Sequence, residues 1–215
     1  VADRLHPRSV RSYVVRAARM TAAQRRALEQ LWPRFGIEAS PVLLDLDAIF
    51  GRSASRTLEI GFGNGDHLAM LAGAHPERDY IGVEVHPPGV GHLLQLAANS
   101  NLANLRVIRH DAVAVLEEQI GTETLDEILV LFPDPWPKKR HHKRRLVDAR
   151  FASLAASRLR PDGVLKLATD WTPYAQQMLE VLGAEALLVN LAGHGNFMPR
   201  DAARQPTRFE RRGER

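Results

Sequence analysis

The chain has 215 residues, of which 45% are hydrophobic and 25% charged, and this composition predicts one globular domain with a sizeable core. It contains no cysteine, which excludes disulfides, thiolate zinc sites and cysteine nucleophiles, and it has no apolar run of about 18 residues that could cross a membrane. The formal net charge is only +4, so the local distribution of positive charge, dense at 4–26, 138–150 and 200–215, is more informative than the total.

The first 20 residues are basic and poorly patterned, and we interpret them as an arm that is mobile when no partner is bound. The arm has no apolar h-region, so a secretory signal is not expected and a cytoplasmic location is predicted. Thr21 is a candidate N-cap for a helix over 22–31, which Trp32-Pro33 should end because proline disfavours the α conformation in the preceding residue. We therefore expect a basic arm and helix over 1–54 and the main domain over 55–215, within a single-domain protein.

From about Ser55 onward, short apolar runs alternate with helical stretches. The predicted strands cover 56–61, 80–85, 105–109, 126–132, 163–168 and 185–191, and the predicted helices cover 65–74, 89–100, 112–119, 143–159 and 173–183. Nearly all-apolar strands that alternate with helices indicate an α/β fold, a mostly parallel twisted sheet with helices on both faces. Active residues in such folds lie at the carboxyl ends of the strands.

A glycine-rich loop over 61–65 follows the first of these strands and leads into a helix. Its glycines, Gly61, Gly63 and Gly65, allow the backbone to approach a ligand closely. Asp66 stands where a dinucleotide-binding fingerprint has its third glycine, and Glu59 precedes the loop. Two acids at these places suit a pyrophosphate poorly and a cationic or zwitterionic ligand better, which argues against an NAD-dependent oxidoreductase.

The next two strands also end in acids. Glu84 could accept hydrogen bonds from both ribose hydroxyls of a nucleoside cofactor, and Asp111 could meet the edge of an adenine. Together with the glycine loop, these acids predict a pocket for S-adenosylmethionine. The structural alternatives are a helix N-cap for either acid and a plain strand–helix turn for the glycines.

The fourth strand leads into the reaction loop, Pro133 to Pro137, whose three prolines fix the chain geometry. An acid at a strand end resembles the (Asp/Asn)-Pro-Pro-(Tyr/Phe) loop of methyltransferases that act on nitrogen. In that loop an acidic or amide side chain holds the target and an aromatic ring stacks on it. Asp134 and Trp136 are the candidates for these roles. The structural alternative is a proline-rich loop in which Trp136 only fills the core.

A block of positive charge follows the reaction loop. This basic block comprises Lys138, Lys139, Arg140, His141, His142, Lys143, Arg144 and Arg145. Positive side chains beside a pocket supply salt-dependent phosphate contacts, so the two segments together predict an enzyme that acts on nucleic acid. A solvated helix start is the alternative for the block. His141 and His142 lack a partner at metal-ligand spacing, so no metal is predicted.

Two later segments carry polar groups. The strand over 163–168 should lie beside the fourth strand, and Asp170 after it could accept hydrogen bonds from guanine N1–H and the amino group. A helix N-cap is the alternative for Asp170. Near the end, Thr207, Arg208, Phe209 and Glu210 fit a last strand or an ordered tail, with a solvated charged tail as the alternative.

These motifs together resemble the bacterial tRNA (guanine-N7)-methyltransferase family. The matching segments, spread in family order from about residue 8 to the end, include 58–63, 82–86, 88–91, 110–112, 132–138, 142–145, 168–171 and 207–210. The Pro-Asp-Pro-Trp-Pro-Lys segment is the most specific of them. The resemblance implies a class I, Rossmann-like methyltransferase that modifies a variable-loop guanine of tRNA, position 46. It also implies S-adenosylmethionine as cofactor, with S-adenosylhomocysteine as product.

The resemblance also implies roles for individual residues. Asp134 matches the residue assigned as catalytic, and Glu59, Glu84, Asp111 and Asp134 match the S-adenosylmethionine site, beside the loop glycines. The substrate-binding positions are Lys138, Asp170, Thr207, Arg208, Phe209 and Glu210, and the RNA-contacting stretch is Arg140, His141, His142, Lys143, Arg144 and Arg145. Arg208 departs from the family's usual Lys, so that contact is expected to differ in detail.

The implied partner is tRNA, with no membrane and no metal, and a monomer is expected with a dimer as the alternative. Two other functions stay open from the residues themselves. One is a non-catalytic RNA-binding protein on a methyltransferase-like scaffold. The other is a methyltransferase for another nitrogen, such as a protein or DNA amino group, which the basic block and the lack of an amide at Asp134 disfavour.

Overall fold

The computed structural model describes residues 12–13 and 19–199. In chain order, this part contains α1 (Ala22–Phe35), β1 (Gly36–Ile37), α2 (Leu46–Phe50), β2 (Arg56–Ile60), α3 (Asp66–Ala74), β3 (Asp79–Val83), α4 (Pro87–Asn99), β4 (Leu105–Ile108), α5 (Ala112–Glu118), β5 (Leu125–Leu131), a 3₁₀ helix (Lys139–Arg144), α6 (Ala149–Arg158), β6 (Leu159–Ala168) and α7 (Thr172–Gly183). No helix within these ranges has the length and apolar character that crossing a bilayer requires.

Within residues 12–13 and 19–199, six parallel strands form one sheet in the order β1-β4-β3-β2-β5-β6. The central strands β2 and β3 are buried along their whole length, as expected for strands covered on both faces. Alternate strand residues point to opposite faces. Leu58 and Ile81 pack with α5, α6 and α7, whereas Tyr80 and Leu105 pack with α1, α3 and α4. This architecture confirms the predicted Rossmann-like α/β fold.

The strands also end in register. Ile60 pairs with Val83 and with Val130, and Val83 pairs with Ile108. Because the strands are parallel, the segments that follow them emerge at the same edge of the sheet. This carboxyl edge is where the sequence placed its candidate residues.

Helix α4 packs closely on two neighbours. A Cβ atom at Gly89 would lie 2.0 Å from the carbonyl oxygen of Gly63, and one at Gly91 would lie 2.7 Å from that of Gln24 in α1. Only glycine permits backbones to approach this closely. The glycine loop is therefore supported from behind by α4, which is in turn covered by α1.

Helix α1 is longer than predicted. It continues through Pro33 to Phe35 and ends at Gly36, whose N–H donates to the carbonyl of Trp32. Pro33 lies in the last turn, where it removes one helical hydrogen bond, and Phe35 is fully buried in the core. Tertiary burial thus outweighs the local preference on which the prediction rested.

The predicted helix over 143–159 was wrong at both ends. Residues 139–144 form the 3₁₀ helix instead, and α6 begins at Ala149, where the Asp148 side chain accepts the N–H of Phe151 at 2.8 Å. Leu159 already belongs to β6. The short elements β1 and α2 were not predicted, because two and five residues are too few to display a periodic pattern.

The strand predicted over 185–191 was also wrong. This segment contains turns and irregular chain, and its alternating apolar residues Leu187, Val189 and Leu191 are exposed. Alternation places apolar residues on the same side of an extended chain. A strand also requires a neighbouring strand for hydrogen bonding, and the pattern does not predict whether one is present. The segment 207–210 and most of the predicted arm lie outside the described residues.

Candidate active site at the carboxyl edge of the sheet

The candidate residues form a row along the carboxyl edge of the sheet. Asp111 follows β4, Glu84 follows β3, the glycine loop follows β2, Asp134 follows β5 and Asp170 follows β6. Hydrogen bonds continue the strand pairing into this row: Gly61 N–H donates to Val83 O at 2.8 Å, and Phe132 N–H donates to Ala168 O at 2.8 Å. With neighbouring strands about 4.8 Å apart, the row spans about 19 Å.

The glycine loop has a backbone that favours glycine at three positions. The φ angles are 69° at Gly61, 61° at Gly63 and 80° at Gly65. A Cβ at Gly65 would strike Leu93 of α4 at 2.7 Å, so this glycine serves internal packing. No atom of the described residues lies within 4 Å of a Cβ built at Gly61 or Gly63. These two glycines leave open space into which a ligand can come close to the backbone.

Glu84 has a fixed carboxylate. Its Oε1 accepts the N–H groups of Val85 at 2.7 Å and His86 at 2.9 Å, and its Oε2 accepts the N–H of Gly63 at 3.0 Å. The residue is only 6% exposed. Hydrogen bonds to a charged acceptor are strong. The three N–H groups therefore fix the orientation of the Glu84 carboxylate, and the bond from Gly63 connects the end of β3 to the glycine loop.

Glu59 lies buried behind the glycine loop, with 3% exposure. Its Oε2 is 3.2 Å from Nδ1 of His67, in the first turn of α3. The sequence indicated no role for His67, because a strand residue and a helix residue eight positions apart meet only when the loop between them folds back.

Asp111 caps a helix, as its structural alternative predicted. Its Oδ1 accepts the N–H groups of Val113 at 2.9 Å and Ala114 at 3.3 Å at the start of α5. The cap uses one oxygen and leaves Oδ2 without a hydrogen-bond partner among the described residues. A cofactor contact through this second oxygen is compatible with the cap and stays a prediction.

The reaction loop combines a strained backbone with an exposed acid. Phe132, immediately before the loop, and Trp136 within it have φ angles of 53° and 45°, a region that costs about 1–3 kcal/mol for side chains other than glycine. Asp134 between them is exposed. Backbone strain at such a site requires support from the surrounding structure.

Trp136 is held from two sides. Its Nε1 donates to the carbonyl of Ser12 at 3.1 Å, and the Arg144 guanidinium lies 5.1 Å from its ring centroid. The His141 ring approaches edge-on at 5.8 Å. The residue joins the N-terminal segment to the reaction loop, so it is neither a plain core residue nor a fully free stacking surface.

The structure separates Arg145 from the rest of the basic block. Lys138, Lys139, Arg140 and Lys143 are exposed and form no salt bridge within the described part of the chain. Arg145 is 5% exposed, and its Nε donates to the carbonyl of Pro135 at 2.9 Å. This position is unsuited to the RNA phosphate contact that the sequence predicted for it.

One histidine of the basic block, His141, has a shifted pKa. Partial burial, and then the positive charges of Arg140, Arg144, Lys138 and Lys143, lower the pKa of His141 below its ordinary value. His141 is therefore neutral near pH 7.5. His141 therefore adds no positive charge to that of the neighbouring lysines and arginines.

Asp170 is not the helix cap that its alternative proposed. Helix α7 begins at Thr172 after Trp171, with no side-chain cap. Asp170 is exposed next to the reaction loop, since β6 pairs with β5 up to Ala168. Among the residues that the structure describes, no group of three His, Asp or Glu side chains could hold a metal ion.

Comparison with known proteins gives consistent results. A family model described as "Putative methyltransferase" matches residues 53–215. A tRNA (guanine-N(7)-)-methyltransferase of Leifsonia xyli subsp. xyli is 58% identical over 205 residues, which cover 95% of this chain and 90% of that protein. A tRNA (guanine-N(7)-)-methyltransferase of Methylococcus capsulatus is 56% identical over 209 residues, covering 97% and 90%.

A solved structure described as that of "an antibiotic related Methyltransferase" superposes with a TM-score of 0.50. It is 17% identical, and the match covers 68% of this chain and 74% of that one. At this identity the likeness shows the fold alone, and that fold is the one built from the strands above.

Proposed function

We propose that this chain, which belongs to the tRNA (guanine-N(7)-)-methyltransferase family, transfers a methyl group from S-adenosylmethionine to N7 of a guanine in tRNA, at variable-loop position 46. The observation that carries the proposal is the order of groups along the carboxyl edge. A cofactor half, from Asp111 through Glu84 to the glycine loop, adjoins a base half, Asp134 and Asp170. The basic block begins immediately after the reaction loop.

The cofactor half suits S-adenosylmethionine, which supplies an electrophilic methyl group when bound. Gly61 and Gly63 leave open space beside the backbone, and a buried carboxylate at Glu84 can share an oxygen with ribose hydroxyls. Asp111 keeps one oxygen for an adenine amino group. Glu59 supplies negative charge behind the loop, which favours a cationic ligand.

The base half suits a nucleophile that has no proton to lose. Guanine N7 attacks with an in-plane lone pair, so no strong base is required and positive charge develops on the ring. We assign to Asp134 the tasks of orienting the base and stabilising that charge, and to Asp170 the acceptance of N1–H and the amino group. Positioning and electrostatics then supply most of the rate enhancement.

The basic block provides the contacts with the RNA phosphates. A guanine held in tertiary contacts must be exposed before its N7 can react, and phosphate contacts near the pocket stabilise that rearranged RNA. We assign these contacts to Arg140 through Arg144, with Lys138 at the border of the pocket. The predicted contacts from 207–210 remain proposals on the family resemblance.

Nucleotide mapping tests the proposed function. Unmodified tRNA is incubated with the protein and methyl-labelled S-adenosylmethionine, and N7-methylguanosine is located by aniline cleavage after borohydride treatment. We expect label at position 46 and none in a matched tRNA with adenine there. Binding without transfer would indicate a non-catalytic RNA-binding protein, and label in protein or DNA substrates instead would indicate another nitrogen target.

A further inference from the structure

We propose that Arg145 is a positioning residue that holds the reaction loop from inside the protein. The inference rests on the proposed function, because it concerns the loop that carries Asp134. Arg145 is separated from Asp134 along the chain by the 3₁₀ helix, yet its side chain returns beneath the loop. Its Nε donates to the carbonyl of Pro135 at 2.9 Å, and Pro135 stands between Asp134 and Trp136.

A second contact anchors the same guanidinium in the fold. Its Nη1 donates to Oε1 of Gln177 in α7 at 2.5 Å, and its central carbon lies 4.8 Å from the ring centroid of Tyr174. One planar group therefore bridges the reaction loop and α7. Lysine has no such fork and cannot reach two partners with fixed relative geometry.

The anchor itself is braced. The Gln177 amide donates to the carbonyl of Val147 at 3.2 Å, and the Tyr174 hydroxyl oxygen accepts the N–H of Val147 at 3.0 Å. Burial raises the pKa of Tyr174 to about 12, so its hydroxyl stays neutral. Residues 145–147 are thus fixed to one turn of α7, and the loop carbonyl is fixed through them.

The surroundings of Arg145 differ from those of a salt bridge placed for stability. In the part of the chain that the structure describes, its partners are a carbonyl, an amide oxygen and an aromatic ring, with no carboxylate. Its Nη2 is buried without a hydrogen-bond partner there. A buried cation of this kind is a poor stabiliser, whereas its directional donors suit it to fix a backbone carbonyl.

Fixing the carbonyl of Pro135 has a direct geometric effect. Proline already sets φ at residues 133, 135 and 137, so the peptide plane after Pro135 is the main remaining freedom between Asp134 and Trp136. Arg145 sets that plane from below. The carboxylate of Asp134 and the strained backbone of Trp136 are thereby held in one arrangement before substrate binds.

Kinetics on Arg145→Gln test the proposal against the RNA-contact reading. At saturating tRNA and S-adenosylmethionine we expect kcat to fall about 10- to 100-fold, as for a misplacement near 1 Å. The tRNA Kd and its salt dependence should stay within twofold of wild type. The matched control Lys143→Gln, an exposed member of the basic block, should instead weaken tRNA binding and flatten its salt dependence.

Two further variants keep the proposal testable if Arg145→Gln does not fold. Arg145→Lys should recover little of kcat, because one ammonium cannot bridge Pro135 and Gln177. Gln177→Leu leaves Arg145 and the loop sequence intact, and it should lower kcat by a smaller factor with unchanged tRNA Kd. In protein labelled with 5-fluorotryptophan, the ¹⁹F resonance of Trp136 should move in Arg145→Gln and Gln177→Leu but not in Lys143→Gln.

Opposite results would overturn the inference. Wild-type kcat in a folded Arg145→Gln protein, with weaker tRNA binding and a flatter salt dependence of that binding, would show that Arg145 contacts RNA and does not position the reaction loop. If Arg145→Gln does not fold, wild-type kcat and an unmoved Trp136 resonance in Gln177→Leu would refute the positioning role. Failure of the wild-type protein to transfer any methyl group would instead overturn the proposed function on which the inference rests.

Discussion

Glu84 and Asp134 are both acids at strand ends, yet they have opposite surroundings. Glu84 is 6% exposed and accepts three backbone N–H groups, whereas Asp134 in the reaction loop is exposed. A carboxylate fixed by the backbone is preorganised for one ligand geometry. A carboxylate left exposed can meet a substrate that arrives later.

Asp134→Asn should lower kcat about 100-fold at every pH, since it removes a charge that stabilises the developing positive ring. The shape of the pH–rate profile should not change, because N7 surrenders no proton and Asp134 accepts none. Single-turnover rates across pH 6–9 provide the measurement. Wild-type rates in the variant would refute the electrostatic role.

Alanine at Gly63 should both strain the backbone and block the approach of the cofactor, and a control at Gly51 isolates the strain. Gly51, the C-cap of α2, also has a positive φ, 70°, and no described atom near its Cβ position, but it lies outside the proposed site. Each alanine should cost about 1–2 kcal/mol of unfolding free energy in a left-handed conformation. Only Gly63→Ala should also weaken S-adenosylmethionine binding, as calorimetric titration would detect, and equal affinities in the two variants would contradict the assignment.

His141 should contribute no charge to RNA binding near neutral pH. Its pKa lies below the ordinary value, so protonation requires more acidic solution than for a free histidine, and at pH 7.5 the ring is neutral. His141→Gln should therefore keep the wild-type slope of log K against log salt. Lys143→Gln should reduce that slope by about 0.7–0.9. Filter-binding titrations compare them, and an equal reduction in both variants would show that RNA binding charges His141.

At the scale of elements, both loops of the site depend on a helix behind them. The glycine loop rests on α4 through the close approach at Gly89, and the reaction loop is tied to α7 through Arg145 and to Ser12 through Trp136. The two parts of the site thus have separate supports on opposite faces of the sheet.

Gly89→Ala should strain the support of the glycine loop, because its Cβ would lie 2.0 Å from a backbone oxygen that has no flexible end. We expect a loss of about 1–3 kcal/mol in unfolding free energy, typical of overpacking. Gly183→Ala in α7, where no atom of the described part of the chain lies within 4 Å of the added Cβ, should be neutral or slightly stabilising. Urea denaturation of both proteins provides the comparison, and equal stabilities would show that α4 can shift at little cost.

At the scale of the whole molecule, the sheet order separates the residues that we propose for the cofactor from those that we propose for RNA. The proposed cofactor groups follow β4, β3 and β2, whereas the reaction loop and the basic block follow β5. In the proposed function, cofactor and RNA therefore reach the reacting position from different ends of one row, and Asp134, which the family resemblance assigns to both the cofactor site and catalysis, lies where they meet.

The triple variant Arg140→Gln, Lys143→Gln and Arg144→Gln should show this separation. Its tRNA affinity should fall strongly at physiological salt, with a slope lower by about two to three units, because three cations are removed. Its S-adenosylmethionine affinity should match wild type, as measured by titration without RNA. A matching loss of cofactor affinity would show that the two halves of the row are not independent.

Long elements were predictable because their patterns extend over many residues, and short ones were not. The five strands from β2 to β6 and the helices α3, α4, α5 and α7 match the predicted positions to within a few residues, apart from the irregular start of β6. Two-residue β1, five-residue α2 and the 3₁₀ helix lack a detectable period. The segment 185–191 has the period of a strand, and yet no strand of the described residues pairs with it.

The sequence by itself determined the fold class and the residues at the strand ends. Buried parallel strands are visible as short apolar runs, and the chemistry of a loop is visible in the side chains of its own residues. Only the tertiary structure decided what each side chain faces. It made Asp111 a helix cap and freed Asp170 from that role. It also brought His67 to Glu59 and turned Arg145 inward beneath Pro135. These outcomes depend on contacts of individual side chains, several of them between distant segments. The pattern of charge and the periodicity along the chain do not predict such contacts.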